Sequence, residues 1–212
     1  MSEPVPVVLT VPEVRDYARI NAQVLRWLDA GRTRIELAGV ANQRLLLAGL
    51  EGRWEARIDV QGDAGPELAA GMNAPNLVVT CLGSAADAAG RELAGGTLRI
   101  LGGAADCAGY RQRGGSLFIA GSVGHRAGLE MSGGLLVILG DSGRLCGHLQ
   151  HGGRLFLEGA AGPYAGFARD GGEFSIAATF AELSVEERLA IAELRRRRVV
   201  LSSARAELPG TT

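Results

Sequence analysis

The chain has 212 residues, 47% of them hydrophobic and 21% charged, which is enough apolar material for a sizeable core and excludes a disordered tail. A formal net charge of -1 supplies no field to draw in nucleic acid or an anionic membrane surface, and apolar runs such as GGLLVILG are too short to span a bilayer. All 22 basic residues are arginine, so a P-loop lysine and a lysine Schiff base are both excluded. The three cysteines, Cys81, Cys107 and Cys146, show no CxxC pairing and read as small buried hydrophobes rather than a disulfide framework or metal site. The acidic start MSEPVPVVLTVPE differs from a signal peptide, and a cytoplasmic location is expected.

Residues 1–50 are expected to form an N-terminal helix and covering strands. The helix is predicted over residues 11–29, with Thr10 as N-cap, Pro12 in the first turn, Glu13 completing a capping box and Gly31 at the C-terminus. The segment TRIELAGVANQRLLLAGLEG follows and is expected to supply a strand pair that covers the open end of the next domain.

Residues 51–180 repeat. The pairs Gly95-Gly96, Gly114-Gly115, Gly133-Gly134, Gly152-Gly153 and Gly171-Gly172 recur at an interval of 19. Two single-glycine columns keep the same interval: Gly83, Gly102, Gly121, Gly140 and Gly159, then Gly90, Gly109, Gly128, Gly147 and Gly166. Self-similarity at fixed period marks a repeat architecture, and these glycines suit the sharp corners of a coil. Between corners, period-two alternation places Leu98 and Ile100, Leu117 and Ile119, Leu136 and Ile138, Leu155 and Leu157, and Phe174 and Ile176 toward one interior. Arg99, Phe118, Val137 and Phe156 alternate with them. Ala89, Ala108, Ala127, Cys146 and Ala165 form a small-residue column suited to a tight inner bend.

Strands that repeat by translation cannot pair as hairpins, because a hairpin mirrors its pattern. The expected fold is therefore all-β: a right-handed parallel β-helix, a single-stranded solenoid of 19-residue coils stacked at about 4.8 Å, with flanking N- and C-terminal α-helices. Gly62 to Gly83 is 21 residues, which predicts a bulge or longer corner there. Residues 181–212 are expected to be a C-terminal helix and tail. Ser184 caps to Glu187, and Arg195 to Arg198 either form a solvated helix end that completes the negative end of the dipole or serve as an interface or anion site; SSARAELPGTT reads as a loose tail.

Catalytic patterns are missing. No two glycines are separated by a single residue, which excludes GxGxxG and GxSxG. His148 and His151 form an HxxH but occupy different phases of the coil, as does His125, so they read as surface or corner histidines. Asp106, Glu130, Asp141, Glu158 and Asp170 fall in separate columns, against the stacked carboxylates a polysaccharide lyase needs. An interval of 19 is no multiple of six, against a hexapeptide acyltransferase helix. The stripe Arg91, Tyr110, Leu129, His148, Phe167 is apolar for an outward phase. Tyr110, Leu129 and Phe167 are candidate partner contacts, with corner filling as the alternative.

The units from APNLVVTCLG through DGGEFSI resemble the GXGXG β-helix family, the C-terminal domain of the glutamate synthase large subunit. YARINAQVLRWLDAG and IELAGVANQRLLLAGLEG are similar to the helix and first strands with which that domain opens, and Leu68 to Met72, LAAGM, matches its first coil. Related domains occur as stand-alone subunits of glutamate-synthase-like enzymes, including N-methylglutamate synthase, and as one of the subunits of formylmethanofuran dehydrogenase and of formyltransferase/hydrolase complexes. The resemblance implies a non-catalytic structural subunit with no catalytic, cofactor-binding or metal residue of its own. It implies a hetero-oligomer in which a glutaminase-like subunit and a flavoprotein synthase subunit supply the chemistry, the latter holding FMN and an iron-sulfur cluster. The helix at 11–29 favours the glutamate synthase branch; the one-carbon complexes are the alternative.

Overall fold

The computed structural model describes residues 5–11 and 16–206, with side chains through residue 200. Nine strands form one sheet whose spatial order equals chain order, and every neighbouring pair is parallel. They are β1 (Val7–Thr10), β2 (Arg34–Ala41), β3 (Ala56–Asp63), β4 (Asn73–Cys81), β5 (Gly95–Ile100), β6 (Arg113–Ile119), β7 (Ser132–Ile138), β8 (Gly152–Leu157) and β9 (Glu173–Ile176). The chain winds as a parallel β-solenoid of about 8 turns, flanked by α1 (Tyr17–Asp29) and α2 (Val185–Ala206).

The register turns sequence columns into spatial ones. Leu98, Leu117, Leu136, Leu155 and Phe174 are successive ladder partners, as are Ile100, Ile119, Ile138, Leu157 and Ile176. Each coil thus presents the next with nearly the same side chain, and the core is continuous through Leu155 and Leu157. Ala89, Ala108, Ala127 and Cys146 are buried on the inner bend. Ile176, expected inside, is instead 49% exposed, because among the described residues no strand pairs beyond β9. A second ladder, one residue per coil, joins Ala64, Ala85, Ala104, Val123, Ser142 and Ala161.

The glycine columns have two different causes. Gly109 (φ +68) typifies the column that turns in the left-handed region, as do the second members of the pairs. Gly140 has no such φ; a Cβ there would lie 2.5 Å from the Ser122 nitrogen on the coil before. The first members of the pairs behave likewise, with a Cβ at Gly133 falling 2.3 Å from the Arg113 carbonyl oxygen. Such columns are glycine because successive coils touch through their backbones.

The widened coil has its extra length at one corner. The β3–β4 pairing is regular from Ala56↔Leu77 to Val60↔Cys81, whereas the β4–β5 register shifts between Asn73 and Val78. At the N-terminal end, Thr10 is not the helix N-cap: it lies in β1 opposite Ala38, because residues 7–10 extend the sheet by one strand. Asp16 caps α1 instead, accepting from the Arg19 amide at 3.3 Å, while Pro12 and Glu13 lie outside the described residues. Gly31 does close the helix, its N–H donating to the Leu28 carbonyl at 2.9 Å. The segment 33–52 supplies one strand and a turn, a full coil rather than a strand pair. The cover of that end is α1, which buries Ile20, Val24 and Leu28 and brackets the turn through Asn21, whose amide donates to Leu45 O and accepts from Leu47 N, both at 2.8 Å.

The α2 helix lies along the outer face of the strands. Phe118, Val137 and Phe156 are buried there with Phe180, Leu183, Ile191 and Leu194, a second core worth about 1.5–3 kcal/mol for each large side chain buried. Its start is the predicted capping box: Glu187 N donates to Ser184 Oγ at 3.2 Å and Ser184 N to Glu187 Oε2 at 2.8 Å. The arginine run does not end the helix, which continues to Ala206, so residues 202–206 are helical rather than a loose tail. The run instead straps the helix down. Arg195 meets Glu158 at 2.5 Å, Arg197 meets Asp59 at 3.5 Å, and Arg198 donates to the Ala120 carbonyl. Glu193 and Glu187 add pairs to Arg99 (2.8 Å) and Arg154 (2.5 Å). No helix among the described residues is long and apolar enough to cross a membrane.

Candidate docking surfaces

From residue 88 onward each corner turn alternates left-handed residues, and only the middle one is glycine: Cys107 (φ 61), Gly109 and Arg111 (φ 53) in one coil, Arg126 (φ 60), Gly128 and Glu130 (φ 53) in the next; in the two earlier turns the glycine is the third, Gly49 and Gly71. This backbone sends N–H groups both up and down the stack. Cys107 N donates to His125 O at 2.8 Å and Arg111 N to Leu129 O at 2.8 Å, on the following coil, while Gly109 N donates to Ala89 O at 2.9 Å on the preceding one. Inter-coil bonding thereby offsets the cost of positive φ at non-glycine residues.

The polar side chains that catalysis could have used are largely spent on the same purpose. Asp106 Oδ1 accepts from His125 N at 2.7 Å, His125 Nδ1 from Arg144 N at 3.0 Å, Ser122 Oγ from Asp141 N at 3.1 Å and Asp141 Oδ1 from Ala160 N at 2.7 Å, each partner 19 residues on. The first of these ladders stops where it must: Arg144 cannot accept and Pro163, one coil later, has no N–H. His148 and His151 stand in different columns, as the sequence implied. His148 Nδ1 lies 2.8 Å from Phe167 O and His151 Nδ1 2.6 Å from Asp170 Oδ1. Among the described residues no group of three or more His, Cys, Asp or Glu is placed to hold a metal.

Two residues stand in no motif of the sequence yet hold the corners together. Gln112 and Gln150 are fully buried beside the glycine pairs. Gln112 Nε2 donates to the carbonyls of Gly114, Gly115 and Leu135, and Gln150 Nε2 to those of Gly152, Gly153 and Glu173. Their spacing of two coils, with Met131 between them, is the only signal the sequence carried.

The stripe Arg91, Tyr110, Leu129, His148, Phe167 runs along the outside of the turn. Arg91, Tyr110, Leu129 and His148 are half-buried, and Phe167 at the top is 59% exposed. Arg111 covers the Tyr110 ring at 4.9 Å and binds Glu130 at 2.7 Å; His148 stacks on Phe167 at 5.6 Å. Beside the stripe, Glu92, Arg111, Arg113, Glu130, Ser132 and His151 line an open polar groove of about 400 Å³. All three cysteines are free, and burial pushes the Cys81 and Cys146 thiols up to about 11. Cys81 and Cys146 are inert core residues at neutral pH, whereas Cys107, expected to be buried, is only half-buried at the first left-handed position of its turn.

Comparison with known proteins gave no match to a family model, a curated protein or a solved structure.

Proposed function

We propose that this chain is a non-catalytic structural subunit of a glutamate-synthase-like complex, of the glutamate or N-methylglutamate synthase type, docking a glutaminase-like subunit to a synthase subunit. In this reading FMN and the iron-sulfur cluster belong to the synthase partner. The observation that supports it is the stripe of Tyr110, Leu129 and Phe167, partly exposed and held at fixed spacing on a backbone cross-linked coil by coil. A surface so constrained loses little entropy on docking and can hold two enzymes in fixed relation, so that an intermediate passes between fixed sites. Purifying the chain from its native cells under mild conditions, identifying co-eluting subunits and recording the absorption spectrum tests the reading. A yellow-brown complex containing glutaminase-like and flavoprotein chains is expected. A formyltransferase with an amidohydrolase-like chain would overturn it in favour of one-carbon metabolism. Tyr110→Asp with Leu129→Asp should leave the fold intact and weaken the complex; unfolding of that variant would assign the stripe to corner filling.

A further inference from the structure

The two ends of the solenoid are unlike. The first is covered by α1, whereas among the described residues no strand pairs beyond the last coil. In every earlier coil from 88 onward, the turn amides equivalent to Tyr164 and Ala168 donate to carbonyls of the coil above, as Leu145 N does to Pro163 O and Leu149 N to Phe167 O at 2.9 and 3.1 Å. The carbonyl equivalent to Ala165 O accepts from that coil, as Cys146 O does from Gly166 N at 2.7 Å. Among the described residues, the Tyr164 and Ala168 amides and the Ala165 carbonyl have no such partner. Around this row stand Tyr164, Phe167 and Ile176, exposed by 61%, 59% and 49%, continuous with the stripe below.

We propose that the last coil is where a different polypeptide adds a further turn and strand, its turn backbone taking up the Tyr164, Ala165 and Ala168 groups, its extended part pairing parallel to β9, and its apolar side chains covering Phe167 and Ile176. The inference rests on the scaffold reading and deepens it by placing one partner. Parallel addition is the geometry of all the existing strand pairs, and edge addition is a general mode of chain recognition. A second copy fits poorly. Head-to-tail stacking meets the α1 cover, and tail-to-tail pairing brings the acidic edge of Asp170, Glu173 and Glu182 onto itself. Burial and the adjacent Glu182 carboxyl already raise Glu173, so the fitting partner carries basic side chains at its rim.

The test uses the complex from native cells with a photo-crosslinking residue, p-benzoylphenylalanine, at Ile176, at Leu129 or at Leu25 on α1, alongside hydrogen exchange of free and complexed protein. Crosslinking of a partner peptide at Ile176, with at least tenfold slowed exchange at Tyr164 and Ala168, is the expected result. A crosslink from Ile176 to a second copy of the chain overturns the inference. Partner crosslinks at Leu129 alone, with unchanged exchange at Tyr164 and Ala168, overturn it and leave the scaffold reading standing. Absence of any co-purifying chain overturns both.

Discussion

At the scale of single residues, the repeat is enforced by backbone geometry as much as by hydrophobicity. Gly133→Ala places a Cβ 2.3 Å from a carbonyl of the neighbouring coil, whereas Gly109→Ala chiefly meets the penalty for a left-handed φ. We expect about 1–2 kcal/mol of destabilisation at Gly109 and more at Gly133, where a backbone must move, measured by urea unfolding. Gln112→Leu strips three corner carbonyls of their donor and should cost about 1–3 kcal/mol, with faster amide exchange in the adjoining turns. The buried thiols set an alkaline limit. Because the Cys81 and Cys146 values in the folded chain lie above the ordinary thiol value, their contribution is complete below about pH 9 and is lost as pH rises through about 11. Unfolding midpoints should fall over that window in the native chain, and fall less in a Cys81→Ala, Cys146→Ala variant. The glycine columns were legible in the sequence because glycine has few other reasons to recur. The left-handed Cys107, Arg126 and Leu145 were not, since residue identity there varies freely once inter-coil bonds hold the backbone.

At the scale of elements, α2 behaves as a strap with its own core. A chain ending after Ala177 should expose Phe118, Val137 and Phe156 and bind a hydrophobic dye strongly while keeping its β-sheet circular dichroism; loss of the sheet signal would instead make the helix part of the solenoid's fold. The strands, their register direction and the Ser184–Glu187 box could all be read from period and spacing, which are local signals. The ends of elements could not. Thr10 stands before a plausible helix, yet adding a strand to the sheet saturates its backbone, a tertiary gain invisible to local pattern. Arg195 to Arg198 looked like a helix terminus, but Arg195, Arg197 and Arg198 find partners on coils far away in sequence, at Glu158, Asp59 and Ala120. The candidate docking stripe was legible as a column; that Phe167 alone of its members stands exposed was not, because the sequence does not show where the stack stops being covered.

At the scale of the whole molecule, stability is a sum of coils and the joints between them, so it should grade along the axis. Native-state hydrogen exchange is expected to be slowest at β5 to β7, which have coils on both sides, and fastest at β9. Uniform protection through β9 would point to cooperative unfolding of the entire stack.

The constant interval has one more consequence. A solenoid whose coils stack in constant register is a ruler: removing or inserting 19 residues between equivalent positions changes the distance between its ends by one graduation of about 4.8 Å while leaving every column in register. Insertions of any other length have to be absorbed locally, as the longer early coil is by its register shift between Asn73 and Val78. Separation between whatever sits at the two ends can therefore be adjusted only in discrete steps, without altering the surface either one meets.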